Sequence, residues 1–139
     1  MATPLQSGNW YLFELRRMKI LGSTGKQTVN VEFISARGET MGNQLIDVFY
    51  LSEKALSRFE VLVHRSGVEV EIKQVADITP EVLKAMHGKK VWARVTRDDR
   101  DARLKTDGWN FRPETDPPED ELFVDYKAQD EYERMLDGL

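Results

Sequence analysis

The chain has no cysteine, so disulfides, thiolate nucleophiles and thiolate metal ligands are excluded, and a reducing cytoplasm suits it. Histidine is almost as scarce: His64 and His87 are isolated, and neither reads as a zinc site or a catalytic pair. No long apolar run exists. Residues 1–21 are interrupted by Glu14, Arg16, Arg17 and Lys19, so neither a signal-peptide segment nor a membrane span is expected. Internal repeats are absent. Asp98, Asp99 and Asp101 lack the central glycine and closing glutamate that a calcium loop needs.

What is present is one domain's worth of chain, 139 residues with 40% hydrophobic and 32% charged residues. The net charge of −4 hides a division. Residues 1–112 hold 18 basic against 14 acidic residues, whereas residues 113–139 hold 2 against 10. The chain therefore reads as a mildly basic body, 1–112, carrying a strongly acidic C-terminal tail, 113–139.

Strand periodicity dominates the body. From Asn9 to Leu21, Tyr11, Phe13 and Leu15 alternate inward against Trp10, Leu12, Glu14 and Arg16. The parity slips at Arg17-Met18, as at a β-bulge, before Met18 and Ile20 resume the apolar face. Gly22 to Gly25 is a turn, Thr28 to Ser35 a second strand, Ala36 to Asn43 a loop, and Gln44 to Leu51 a third, mostly apolar strand. Ser52 is placed to cap a helix whose buried side is Ala55, Leu56, Phe59, Leu62 and Val63, ending near Gly67. Val68 to Val75 alternates like a short strand. Thr79-Pro80 opens a second helix that buries Val82, Leu83 and Met86 and stops at Gly88. Two further strands follow: Lys90 to Thr96, with Val91, Ala93 and Val95 inward, and Leu104 to Arg112, joined by the charged tip Arg97 to Asp101.

Three strands, a helical middle and two more strands predict a mainly β protein. The expected fold is a five-stranded Greek-key barrel of the OB type with a helical insertion between strands 3 and 4. The segment Gly8-Asn-Trp-Tyr-Leu-Phe-Glu-Leu, the Leu/Phe helix, and Gly88-Lys-Lys-Val-Trp-Ala-Arg-Val followed by Gly108-Trp-Asn-Phe resemble a family of small phage-encoded single-stranded DNA-binding proteins. The similarity spans roughly residues 8–112, and only the charged tip departs from it. It implies an OB-like fold, a role in phage DNA replication or recombination, and the host cytoplasm as compartment.

The residues support the same chemistry on their own account. Single strands are held by aromatic platforms and a basic track. Trp92 faces away from Val91 and Ala93 between cations, which makes it the first expected stacking platform; Trp10 follows by the same parity, then Trp109. Lys90, Arg94, Arg16, Lys19, Arg97, Lys105 and Arg112 are the expected phosphate contacts. Against this stands the ordinary fate of aromatics in a small barrel, which is burial, and of interspersed charges, which is solvation.

Two other readings use the same residues. One is a protein-interaction module with the aromatic face as its interface. The other is a metal-dependent nuclease, in which Glu71-Ile72-Lys73 and Asp47 would hold Mg²⁺ and a water. The expectation is a non-catalytic binder of single-stranded DNA with no cofactor. In the tail, Phe123, Tyr132, Leu136 and Leu139 form an apolar tip that either recruits replication or recombination proteins or packs on the body. A second copy of the chain is a further candidate partner, and a membrane is not.

Overall fold

Strand β1, Trp10–Leu21, carries the expected alternation: Tyr11, Phe13 and Leu15 are buried. The structure, a computed structural model, describes residues 2–23 and 25–118. β2 spans Thr28–Ser35 and β3 Gln44–Tyr50, and both pair antiparallel in sequence order. Leu15 faces Phe33 and Met18 faces Val31, so Arg16 and Arg17 together oppose Glu32 alone. That extra residue is the predicted bulge. In the β1–β2 turn, Gly22 has φ 94°, and a Cβ there would lie 2.4 Å from the Lys26 carbonyl oxygen, so only glycine fits.

Helix α1, Leu56–Arg65, lays Leu56, Phe59, Leu62 and Val63 on the core. It starts later than the sequence suggests. The Ser52 carbonyl accepts from the amides of Ala55 (3.0 Å) and Leu56 (2.8 Å), making a turn ahead of the helix, and no side chain caps it. Val68 to Val75 forms no strand. Val68, Val70 and Ile72 pack on the core without a ladder partner, and Val75–Asp77 is a 3-10 turn closed by the Asp77 carboxylate on the amides of Lys73 and Gln74. Helix α2, Pro80–Met86, begins as predicted, with Thr79 Oγ1 accepting from Val82 N and proline in the first turn.

β4, Lys90–Arg97, pairs antiparallel with the first half of β1, and β5, Leu104–Pro113, pairs with β4. The sheet order is β3-β2-β1-β4-β5. The molecule is thus a five-stranded antiparallel sheet with two helices. Between Ala93–Phe111 and Val95–Thr106 the register slips, so four residues of β5, Asp107 to Asn110, oppose Arg94 alone.

The sheet's inner face and α1 enclose a core of phenylalanines. Phe33 lies edge-on to Phe13 at 5.7 Å and stacks on Phe111 at 6.4 Å, while Phe49 meets Phe59 edge-on at 5.6 Å. Each such ring contributes about 1.5–3 kcal/mol by burial.

The two end strands approach each other without forming a ladder. Asp47 points inward from β3 and is buried; its Oδ2 accepts from Thr106 N on β5 at 3.0 Å, from Thr106 Oγ1, and from Arg58 Nη2 on α1 at 2.8 Å. An unpaired carboxylate there would be strongly destabilising, so these donors are obligatory, and removing one partner costs about 3–5 kcal/mol. Side chains, rather than backbone pairing, bridge the sheet's ends. No helix among the described residues is long and apolar enough to cross a membrane.

Candidate nucleic-acid interface

Trp92 overturns the first site expectation. Its parity is as predicted, since it points to the opposite side of the sheet from Val91 and Ala93, but that side is covered there. Trp92 is only 2% exposed, packs with Leu12, Trp10 and Ala36, and donates from Nε1 to the Glu114 carbonyl at 3.1 Å. The first residues of the acidic tail turn back after β5, with Asp116 N bonded to Pro113 O at 3.0 Å. A ring closed off in this way cannot stack on a base.

The neighbours of Trp92 are engaged too. Trp10 is half-buried, with the Arg112 guanidinium 5.7 Å from its ring centre. Arg94, opposite Trp10 in the ladder, lies 3.9 Å from Asp107, and Lys90 faces Glu14. Phe111, with Tyr11 and Phe13, belongs to the core.

The other end of the outer face differs. Past the bulge, Lys19, Asn30 and Val48 form one row across β1, β2 and β3, and Leu21, Thr28 and Tyr50 form the next. Adjacent members of a row sit about 4.8 Å apart. In the row before them, Ile46 faces Glu32, which in turn faces the two bulge arginines. Tyr50 is 61% exposed, and Leu21 and Ile46 nearly half. Large apolar side chains are thus in water beside Arg16, Arg17 and Lys19, all exposed. Arg16 is held by the Glu14 carboxylate, whereas Arg17 and Lys19 make no ion pair among the described residues. These cations, Asn30, Ile46 and His87 line an open groove of about 570 Å³.

Tyr50 and Val48 continue this surface into a second hollow of about 460 Å³, under the β4–β5 hairpin tip. Arg100, Arg103 and Lys105 reach it from the tip, and Arg58 from α1. Asp98 organises the tip. Its carboxyl is held below the usual range chiefly by a hydrogen bond from Arg100 N (2.8 Å), with the charges of Lys105 and Arg100 adding to the effect against partial burial. Trp109, in the four-residue bulge of β5, is 59% exposed, and Arg58 Nε fixes that bulge by donating to Gly108 O at 2.7 Å.

The expected residues therefore separate into two groups. Arg16 and Lys19 line the groove and Lys105 the hollow, Trp109 is exposed next to Gly108 of the hollow, and Arg97 lies at the tip with its guanidinium on the Ala102 carbonyl. Trp92, Trp10, Lys90, Arg94 and Arg112 lie at the other end, where Trp92 is covered, Trp10, Lys90 and Arg112 are partly buried and Arg94 is exposed. Phe123, Tyr132, Leu136 and Leu139 lie outside the described residues. Of the nuclease set, Asp47 is enclosed by its donors. Glu71 and Lys73 are exposed on a loop, 3.3 Å from each other, so no Glu-x-Lys strand exists. No group of three or more His, Cys, Asp or Glu among the described residues could hold a metal ion.

No known family model matches the chain, and no curated protein matches it. The interface thus rests on geometry alone. Tyr50 and Ile46 were the residues that sequence reasoning passed over, although Leu45, Asp47 and Phe49 facing inward requires Ile46, Val48 and Tyr50 to face out.

Proposed function

We propose that this chain binds single-stranded DNA, without catalysis, along the outer face of β1–β3 and into the hollow beneath the β4–β5 tip. The observation that carries this reading is the register of the three strands. It sets Leu21 on β1 with Arg16, Arg17 and Lys19, and Ile46, Val48 and Tyr50 across from them on β3, with Glu32, Asn30 and Thr28 of β2 between and Arg100, Arg103 and Lys105 at the far end. Bases stack on exposed rings and apolar side chains while phosphates follow the cations, a combination that holds any single strand. We further read the sheet as an OB-like barrel joined between β3 and β5 by the Asp47–Thr106–Arg58 contacts. On the resemblance of residues 8–112 to phage single-strand binders, we read the activity as part of phage DNA replication or recombination.

The exposed Leu21, Ile46 and Tyr50 also suit a protein partner, and salt separates the two readings. Titrating the chain with oligo-dT while following tryptophan fluorescence is expected to change the signal of Trp109, the exposed indole. Affinity should fall steeply with salt, log K against log [salt] being linear with a slope of about −0.7 per phosphate contacted. Absence of binding, or binding indifferent to salt, overturns the proposal and favours the protein interface.

A further inference from the structure

Arg58 is fixed along one edge only. Its Nε donates to Gly108 O at 2.7 Å, and its Nη2 donates to Asp47 Oδ2, Thr106 O and Thr106 Oγ1 at 2.8, 3.2 and 2.6 Å. Its guanidinium carbon lies 4.3 Å from the centre of the Phe49 ring. Nη1 has no acceptor among the described residues, although the side chain is about one-fifth exposed and lines the 460 Å³ hollow. A guanidinium held this rigidly keeps two aimed N–H donors at no further ordering cost.

The hollow's other residues say which acceptor suits them. Its cations, Arg58, Arg100, Arg103 and Lys105, are nearly matched by Asp47, Asp98 and Asp101. A phosphate entering it would meet carboxylates as well as cations, whereas the edge of a base carries donors and acceptors together. Tyr50 offers the exposed ring on which such a base can stack. Among the bases, guanine presents two adjacent acceptors, O6 and N7, and with Nε and Nη2 committed the Nη1 amino group is the donor left to meet them. Its neighbouring N1–H and N2–H₂ donors suit a carboxylate, and Asp101 commits only Oδ1, to the Arg103 amide.

Building on the single-strand reading above, we propose that this hollow is a base-reading subsite that takes a guanine of the bound strand, stacked on Tyr50 and contacted by Arg58 Nη1. The rest of the track is indifferent to sequence, and this subsite adds a local preference.

The test uses the full chain and three labelled oligonucleotides of one length: oligo-dT, oligo-dT with one central dG, and the same with 7-deaza-dG, which lacks the N7 acceptor. The dG oligonucleotide is expected to bind roughly tenfold tighter than oligo-dT, and the 7-deaza substitution to remove most of that gain. Arg58→Lys, which keeps a cation for Asp47, should bring the three to equal affinity. Should that variant fail to fold, the three oligonucleotides on the unaltered chain decide alone. Equal affinity of the unaltered chain for all three overturns the subsite and leaves single-strand binding intact. If, in addition, Arg58→Lys weakens all three alike, Arg58 is a phosphate contact. Failure of every oligonucleotide to bind overturns the subsite and the proposed function together.

Discussion

Tyr50 and Trp92 show how one residue's role depends on what crosses above it. Both point outward from the sheet, yet Tyr50 stands in water and Trp92 is sealed by Leu12 and the backbone of Glu114. Their alanine variants should therefore fail in opposite ways. Tyr50→Ala removes a stacking surface without opening the core, so oligo-dT affinity should drop by about 1–3 kcal/mol with an unchanged melting temperature. Trp92→Ala leaves a cavity and an unpaired Glu114 carbonyl, and should lower folding stability by about 3–5 kcal/mol. Paired binding and thermal-melt measurements check both. A Trp92→Ala protein that melts normally but binds weakly would return the ring to the site and displace Tyr50. Parity alone could not separate the two residues. It says which way a side chain leaves the strand, and nothing about whether a distant segment such as 113–118 folds back over it.

At the scale of elements, β2 and β4 were the most legible strands because their inward residues alternate: Val29, Val31 and Phe33 on β2, and Val91, Ala93 and Val95 on β4. The bulge was legible for the same reason, as the one place in β1 where alternation slips. Helix α1 was misplaced at its start, because the Ser52 carbonyl supplies the contacts expected of its hydroxyl. Val68 to Val75 alternates without being a strand, because alternation marks a buried face and cannot supply a partner strand. The side-chain bridge between β3 and β5 has no local signal, since an Asp47 among apolar neighbours does not announce a threonine fifty-nine positions later. The bulge itself permits a clean experiment. Leu15 and Met18 face Phe33 and Val31, so deleting Arg17 leaves Arg16 alone opposite Glu32 and keeps Met18 and Ile20 facing inward. The deletion variant is expected to stay folded, bind oligo-dT more weakly, and show a salt slope shallower by about one phosphate contact. Unfolding would mean that the bulge is required by the sheet's twist; unchanged binding would take the arginine pair out of the interface.

For the whole molecule the governing quantity is the charge division along the chain. Residues 1–118 hold 18 basic and 16 acidic side chains, and residues 119–139 hold 2 and 8. An anionic segment tethered to a body with an open cationic groove is held near that groove at high effective concentration. It is chemically similar to the proposed ligand, so the two should compete, and salt should screen the competition. The position of the cut matters. Ending the chain after Arg112 would strip the Glu114 contact from Trp92 and confuse a loss of stability with a change in binding. Ending it after Pro118 removes six net negative charges and keeps that contact. The 1–118 chain is expected to bind oligo-dT more tightly than the full chain, with a larger gain at low salt than at high salt and no fall in melting temperature. Unchanged affinity at both salts together with a lower melting temperature would assign residues 119–139 to the support of the fold. A gain of equal size at low and high salt would show that the segment blocks the face by contact rather than by charge, and would direct attention to Phe123, Tyr132, Leu136 and Leu139.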